Sequence, residues 1–419
     1  MAQRIIACLV TLVALSGPAA AQQLLVPMDG TQTDHLKAYG LTFWVLDHRL
    51  TAEWLLNYRD GSFLLPDRPE VRREAAMRGV TTEAVSAGQV AQIQATIERS
   101  NMERVILEKA PRIAVYTPDN VNPWDDAVTL ALTYADIPYD KLWDAEVLQG
   151  RLSEYDWLHL HHEDFTGQYS KFYISYASAP WLQEAVRVNE AMAARFDKPN
   201  VPALKGAVAE EMRRYVAQGG FLFAMCTATE TLELALAAMG VDIAAAFSDG
   251  TPVDPQASQK LQWDRTLAFR DAQVQMNPGV NAFSDIDGHQ VNTTWRQPLG
   301  AFTLFDFSPK FDPVPSMLVQ NHERVLADFY GLTTSFRRER LKAGVIVLAE
   351  EEGAGWTKYL HGTFGEGTWT FLGGHDPEDP QHQIGDAHTD LSMHPHSPGY
   401  RLILNNVLFP AAKKKTLKT

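Results

Sequence analysis

Along this chain the spacing of apolar residues changes from block to block, and each change predicts a different element. Leu24-Leu25-Val26 is a short apolar block that reads as a strand, and Asp34 to Leu46 has the three-to-four spacing of a helix. Two apolar runs between Glu53 and Leu65 flank Asp60-Gly61, a hairpin signal. Pro69 to Gly79 and Ala87 to Ser100 read as helices. Residues 22–108 therefore predict a small α/β unit. Its polar run Pro27 to His35 follows a strand and reads as a capping segment for the next helix, ahead of the alternative that it lines a ligand cleft.

From Arg112 onward short apolar strands alternate with helical segments. Ile113 to Tyr116 is a strand, Asp125 to Ala135 a helix, Lys141 to Ala145 a strand or loop, and Tyr155 to His161 a second clear strand. Leu204 to Gln218 is a helix, Gly220 to Met225 a buried strand, and Glu230 to Ala238 begins a helix that Gly240 ends. Such alternation predicts a parallel sheet flanked by helices. Residues 241–340 lose all sustained period and are rich in Gly, Pro, Asp and aromatics; they read as a long, ordered insertion of short strands and loops. Strand character returns at Val345 to Ala349, Tyr359 to Gly362 and Thr368 to Leu372, with Gly365-Glu366-Gly367 as a turn. The expected fold class is α/β, its main domain drawn from 109–240 and 341–412.

The beginning of the chain changes the picture of where it works. Arg4, the apolar run Ile5 to Leu15 and Ala19-Ala20-Ala21 have the order of a cleavable signal peptide over residues 1–21, with a mature start near Gln22. That predicts a periplasmic or secreted protein. No later stretch approaches the ~20 apolar residues of a membrane helix, so no stable membrane insertion is expected. A net charge of −14 argues against nucleic acid and anionic membranes as partners. The one basic run, Lys413-Lys414-Lys415, reads as a solvated end. The expected partner is a small-molecule substrate or ligand; the sequence names no protein partner.

With Cys8 in the leader, Cys226 is the single thiol of the mature chain. A lone cysteine is commonly core filling, so its setting decides. In Gly219-Gly220-Phe221-Leu222-Phe223-Ala224-Met225-Cys226-Thr227-Ala228-Thr229-Glu230 an apolar strand runs straight into a helix, with the cysteine on the turn. A side chain there projects from the carboxyl end of the sheet, at the N-terminus of the following helix, where thiolate is favoured. This segment resembles the elbow of class I glutamine amidotransferases, Gly-x-Cys-x-Gly-x-Gln, with Ala224, Ala228 and Glu230 in place of the glycines and glutamine. Gly373-Gly374-His375-Asp376-Pro377-Glu378 resembles that family's His-Pro-Glu with one residue inserted. Lys358 to Gly374 and the closing Leu402 to Leu408 resemble its ThuA-like branch. The resemblance covers about 112–240 and 343–410 and implies a flavodoxin-like sheet. It also implies Cys226 as nucleophile, His375 as general base and Glu378 or Asp376 as the acid that orients it.

The family's oxyanion loop falls on Glu163 to Gln168, so Gly167 and Gln168 would offer backbone N–H groups, with His161 or Glu163 tuning the thiol. Glu230, in place of glutamine, would face the substrate. Over most of its length the chain also resembles exported proteins that go under the label asparagine synthetase B. Its residues do not supply that chemistry: no Ser-Gly-Gly-x-Asp-Ser-like loop exists, and cleavage exposes Gln22 rather than a cysteine.

Histidines add a second possibility. Trp157-Leu158-His159-Leu160-His161-His162-Glu163-Asp164 and the stretch from His375 through His382, His388, His394 and His396 hold eight of the thirteen. His159 and His161 share one face of a strand. Such clustering suits a divalent metal, zinc or manganese, although no fixed ligand spacing is present; loop histidines that hydrogen-bond around a cleft are the plainer alternative. A third reading is a non-catalytic module that binds carbohydrate or another small ligand, with Trp124, Trp157 and Trp181 as stacking platforms if exposed. The leading expectation is an exported cysteine-dependent hydrolase of an amide or related acyl bond.

Overall fold

The apolar blocks of the first hundred residues close into a sheet of their own. In the computed structural model, which describes residues 23–118, 126–289, 299–381, 383 and 385–413, β1 (Gln23–Val26), β2 (Ala52–Leu56), β3 (Ser62–Pro66), β4 (Glu83–Val85) and β5 (Glu103–Leu107) pair antiparallel in the order β4-β1-β3-β2-β5. The helix His35–Asp47 covers one face, where Tyr39, Trp54 and Phe63 meet ring against ring. Its start is capped as the polar run predicts: the Asp34 carboxylate accepts the Lys37 N–H at 2.9 Å. Residues 1–21, Cys8, Trp124, His382 and Lys414-Lys415 lie outside the described residues. Among the described residues no helix is long and apolar enough to cross a membrane.

The remaining strands form a single large mixed sheet, so the molecule is an α/β protein with parallel strands and flanking helices. These strands are β6 (Ile113–Tyr116), β7 (Asp140–Leu142), β8 (Trp157–Leu160), β9 (Phe221–Met225), β10 (Ala301–Leu304), β11 (Val325–Ala327), β12 (Phe336–Arg337), β13 (Ile346–Glu351), β14 (Trp356–Phe364) and β15 (Gly367–Leu372). The order is β11-β10-β13-β14-β15-β9-β8-β6-β7, with β12 beside β14. From β15 to β7 every pairing is parallel; from β15 outward to β11 every pairing is antiparallel. Register matters here. Met225 lies opposite Leu372 and Ala224 opposite Leu160, so β8, β9 and β15 end side by side.

Both faces of β6, β8 and β9 are buried, which is why these strands read as apolar runs. Phe221, Phe223 and Met225 enter one core, shared with the helices His35–Asp47 and Pro398–Leu408. Leu222 and Ala224 enter the other, beneath the helices Val201–Ala217 and Cys226–Ala237. The period of two along β9 thus divides the molecule into two cores. The turn into β15 needs its glycine: Gly365 has φ +61, and a Cβ there would lie 2.4 Å from the Ala217 carbonyl oxygen.

Several elements differ from the sequence reading. The elbow helix begins at Cys226 itself rather than at Glu230, and all its residues are buried. Lys141 to Ala145 splits into the end of β7 and the start of a short helix, Asp144–Leu148. A sixteen-residue helix, Pro180–Arg195, stands where the apolar pattern gave no signal. Residues 241–340 are joined to the large sheet through β10, β11 and β12, and anchored by buried acids. Glu233 on the elbow helix accepts the N–H groups of Leu267, Ala268 and Phe269 at 2.8, 2.8 and 3.1 Å. Those bonds supply the order that apolar periodicity does not.

Candidate functional site

Because β8, β9 and β15 stop together, whatever follows each strand meets at one edge. His161 follows β8, Cys226 follows β9, and Gly373-Gly374-His375 follows β15. Two backbone bonds fix the arrangement: Ala228 N–H donates to the His161 carbonyl at 2.9 Å, and His375 N–H to the Tyr330 carbonyl at 2.8 Å.

Cys226 sits in the left-handed region, φ +49, where a residue with a Cβ is strained. No glycine relieves the turn from strand to helix. Instead a glycine opposite makes room: a Cβ on Gly331 would lie 2.9 Å from the sulfur and 3.0 Å from Gly374. Cys226 is 1% exposed. Burial pushes its thiol up from the ordinary value, against the opposing pull of the Thr227 hydroxyl and of the Leu332, Thr227 and Thr333 N–H groups. The proton therefore stays on sulfur at neutral pH, contrary to the thiolate expected from the helix N-terminus.

At the same sheet edge three imidazoles converge. His161, His162 and His375 are all buried, and their nearest ligand atoms lie within 4.8 Å of one another. The rings of His161 and His375 are 4.5 Å apart, those of His162 and His375 6.2 Å. A second group of the same tightness, Asp126, His159 and His161, shares His161. Asp126 Oδ1 is 3.3 Å from both His159 Nε2 and His161 Nδ1. Burial works to raise Asp126, but the two imidazoles outweigh it and hold the carboxyl well below its usual range. Burial lowers His159 despite Asp126.

Glu163 also belongs to this edge. Its Oε2 accepts the His161 N–H at 2.9 Å and its Oε1 is 3.9 Å from His162 Nε2; burial pushes it up to about 7. Glu230 turns to the insertion instead of a substrate. Ser284 and Thr333 hydroxyls donate to its two oxygens at 2.5 and 2.7 Å, and burial followed by the Asp287 carboxylate pushes it up to about 8.

The expected oxyanion donors are committed elsewhere. Gly167 N–H reaches the Asp164 carbonyl at 3.5 Å, and Gln168 N–H donates to Asp164 Oδ2 at 3.1 Å. The donors that do face the sulfur, Leu332 and Thr333, come from a Gly-Leu-Thr-Thr-Ser segment that sequence reasoning passed over. Of the two acids after His375, Asp376 accepts the Glu378 N–H at 2.9 Å and the Thr389 hydroxyl at 2.7 Å, while Glu378 pairs with His394 at 2.9 Å. The histidines proposed as one metal set divide. His159 and His161 lie at the edge, His388 is exposed, and His394 is held by Glu378. His396 Nε2 lies 2.9 and 3.0 Å from the carbonyls of Gln32 and Thr33, where the donated N–H pins the capping run. Sequence reasoning missed Asp126 and counted His162 only as part of the histidine-rich stretch. His162 follows the strand's end, so strand alternation does not apply to it. Sugar stacking on Trp157 is excluded, since the ring is fully buried with Nε1 donating to the Asn406 carbonyl at 3.1 Å. Trp181 is half-buried against Phe172 and Tyr176.

No protein-family model and no curated protein matches the chain. Among solved structures, two cytoplasmic proteins of Salmonella typhimurium are similar at 11% identity, with TM-scores of 0.35 and 0.34, covering 72% of this chain and all of theirs. An exo-β-1,4-mannosidase from an Opitutaceae bacterium is similar at 13% identity and a TM-score of 0.28, over 68% of this chain and 33% of that one. Likenesses this weak carry no functional argument.

Proposed function

We propose that this chain is a hydrolase of an amide or related acyl bond, with Cys226 as nucleophile and His375 as its general base. The core on which it acts would be flavodoxin-like and related to class I glutamine amidotransferases. Strand order supports that reading: counted from β6, the parallel strands run 2-1-3-4-5, and ligands of such sheets bind beyond the carboxyl ends of the strands. The observation that carries the function is the strained φ of +49 at Cys226, on the turn between a central strand and its helix.

Chemically, the buried thiol reacts as a neutral pair with its base. As the sulfur attacks the acyl carbon, His375 takes the thiol proton and the carbonyl electrons move to oxygen, toward the Leu332 and Thr333 N–H groups. Collapse of that intermediate expels the amine, which leaves with the proton from His375. Water then cleaves the thioester by the reverse route.

A generic acyl donor, p-nitrophenyl acetate, tests this without knowledge of the substrate. Mass spectrometry should find an acetyl group on Cys226 in the wild type and none in Cys226→Ala. His375→Ala should slow acetylation by about 100-fold or more, the ordinary contribution of a positioned base. Acetylation of His375→Ala at the wild-type rate would overturn the assignment.

A further inference from the structure

We propose that His161, His162 and His375 form a binding site for one divalent transition-metal ion of the zinc class, with Asp126 as the outer carboxylate that orients His161. The first argument is geometric. Tetrahedral zinc with nitrogen ligands at about 2.0–2.1 Å keeps those nitrogens about 3.4 Å apart. Three ligand atoms already within 4.8 Å of one another need only small ring rotations to reach that spacing.

The second argument is the state of His161. It is 0% exposed, and neither of its ring nitrogens has a hydrogen-bond partner among the described residues. Its Nδ1 faces Asp126 Oδ1 at 3.3 Å. A carboxylate behind one ring nitrogen places the proton there and leaves the other nitrogen's lone pair for a metal, the usual relation of outer carboxylate, histidine and zinc. Leaving that lone pair buried without a partner is costly; an ion between the three rings removes the cost. The backbone also holds the donors in place. His161 and His162 follow β8, His375 follows β15, and β9 stands between.

Donor chemistry selects the ion. Three imidazoles suit zinc, cobalt or copper and not magnesium or calcium, which demand oxygen. Three protein ligands leave the fourth position open.

The binding stands independently of the cysteine mechanism, but its consequence rests on it. A metal on His375 takes the lone pair that would accept the Cys226 proton, so the loaded protein should be silent toward acyl donors.

The test uses the full chain, stripped of metal by a chelator and checked for fold by circular dichroism. Titration calorimetry with zinc chloride should give one equivalent for the wild type. His162→Ala should lose it, and Asp126→Asn should weaken it 10- to 100-fold. His394→Ala, outside the cluster, should bind normally. Cobalt(II) should show the visible absorption of a tetrahedral site in the wild type and not in His162→Ala. Normal zinc affinity in His162→Ala, or no binding by the wild type, would overturn the site. One equivalent bound with Cys226 acetylation unchanged would uphold the site and overturn His375 as the base.

Discussion

Replacing Glu230 with glutamine should remove a defined part of the protein's pH dependence. Glu230 lies on the fully buried elbow helix, where burial and then Asp287 push it up to about 8. In the unfolded chain a glutamate titrates near ~4.3. Between those values the folded state keeps the proton that the unfolded state has lost. The stability tied to this group is therefore full below about pH 4 and falls as pH rises toward 8. At about 1.4 kcal/mol per unit, with half of the last unit lost because titration is under way near pH 8, the loss between pH 5 and pH 8 is about 3.5 kcal/mol. Glutamine has no proton to lose, yet keeps an oxygen for one hydroxyl and an amide for the other. Any constant offset from the substitution cancels, because the quantity read is the change in the difference between the two proteins. Urea unfolding at half-unit steps from pH 5 to 8.5 supplies it. Wild type should lose ground to Glu230→Gln steadily as pH rises. Parallel curves would mean that Glu230 is ionised in the folded protein and that its hydroxyl partners compensate for burial.

Strain at the elbow predicts that Cys226→Gly is more stable than Cys226→Ala by about 1 kcal/mol, read from thermal unfolding, since only glycine accepts the left-handed region freely. An alanine variant at least as stable would remove the strain argument. The Lys358–Asp328 pair is buried, with Lys358 Nζ also donating to the Phe329 carbonyl at 2.8 Å. Lys358→Met should cost about 3–5 kcal/mol by stranding Asp328, and adding Asp328→Leu should restore much of it. A double variant no better than the single would count against that account. Gly331→Ala should destabilise by about 1–3 kcal/mol, because its Cβ would meet the Cys226 sulfur at 2.9 Å. In the background Cys226→Gly the same change should be milder, a coupling that a double-mutant cycle measures.

What the sequence revealed follows from how each element is stabilised. β6, β8 and β9 are buried on both faces, so apolar composition alone marks them, and the cysteine at the end of β9 was visible for the same reason. The helix Pro180–Arg195 buries only Leu182 and Ala193, too thin a face to give a periodic signal. The elbow helix was misjudged at its start because Thr227, Thr229, Glu230 and Glu233 look like surface residues, yet each is buried. Glu230 and Glu233 spend their carboxylates on the 241–340 segment, whose order comes from hydrogen bonds between distant residues. The site was half legible. Cys226, His161 and His375 follow strand ends, but Asp126 and the Leu332 and Thr333 donors reach them from loops that no local pattern links to a strand.

The place of β15 beside β9 has a consequence for the order in which the molecule forms. β8 precedes β9 and can cover one side of it at once. The other side waits for Gly367–Leu372, about 140 residues later in the chain. Until that long loop closes, an apolar central strand presents a bare row of amide and carbonyl groups, a template for pairing with another chain. Closing a loop of this length is slow, although its added entropy is modest. A chain growing from its N-terminus, or cut short before β15, would therefore carry a sticky edge in place of a finished cleft. Truncations ahead of Gly367 should aggregate rather than fold into smaller soluble domains.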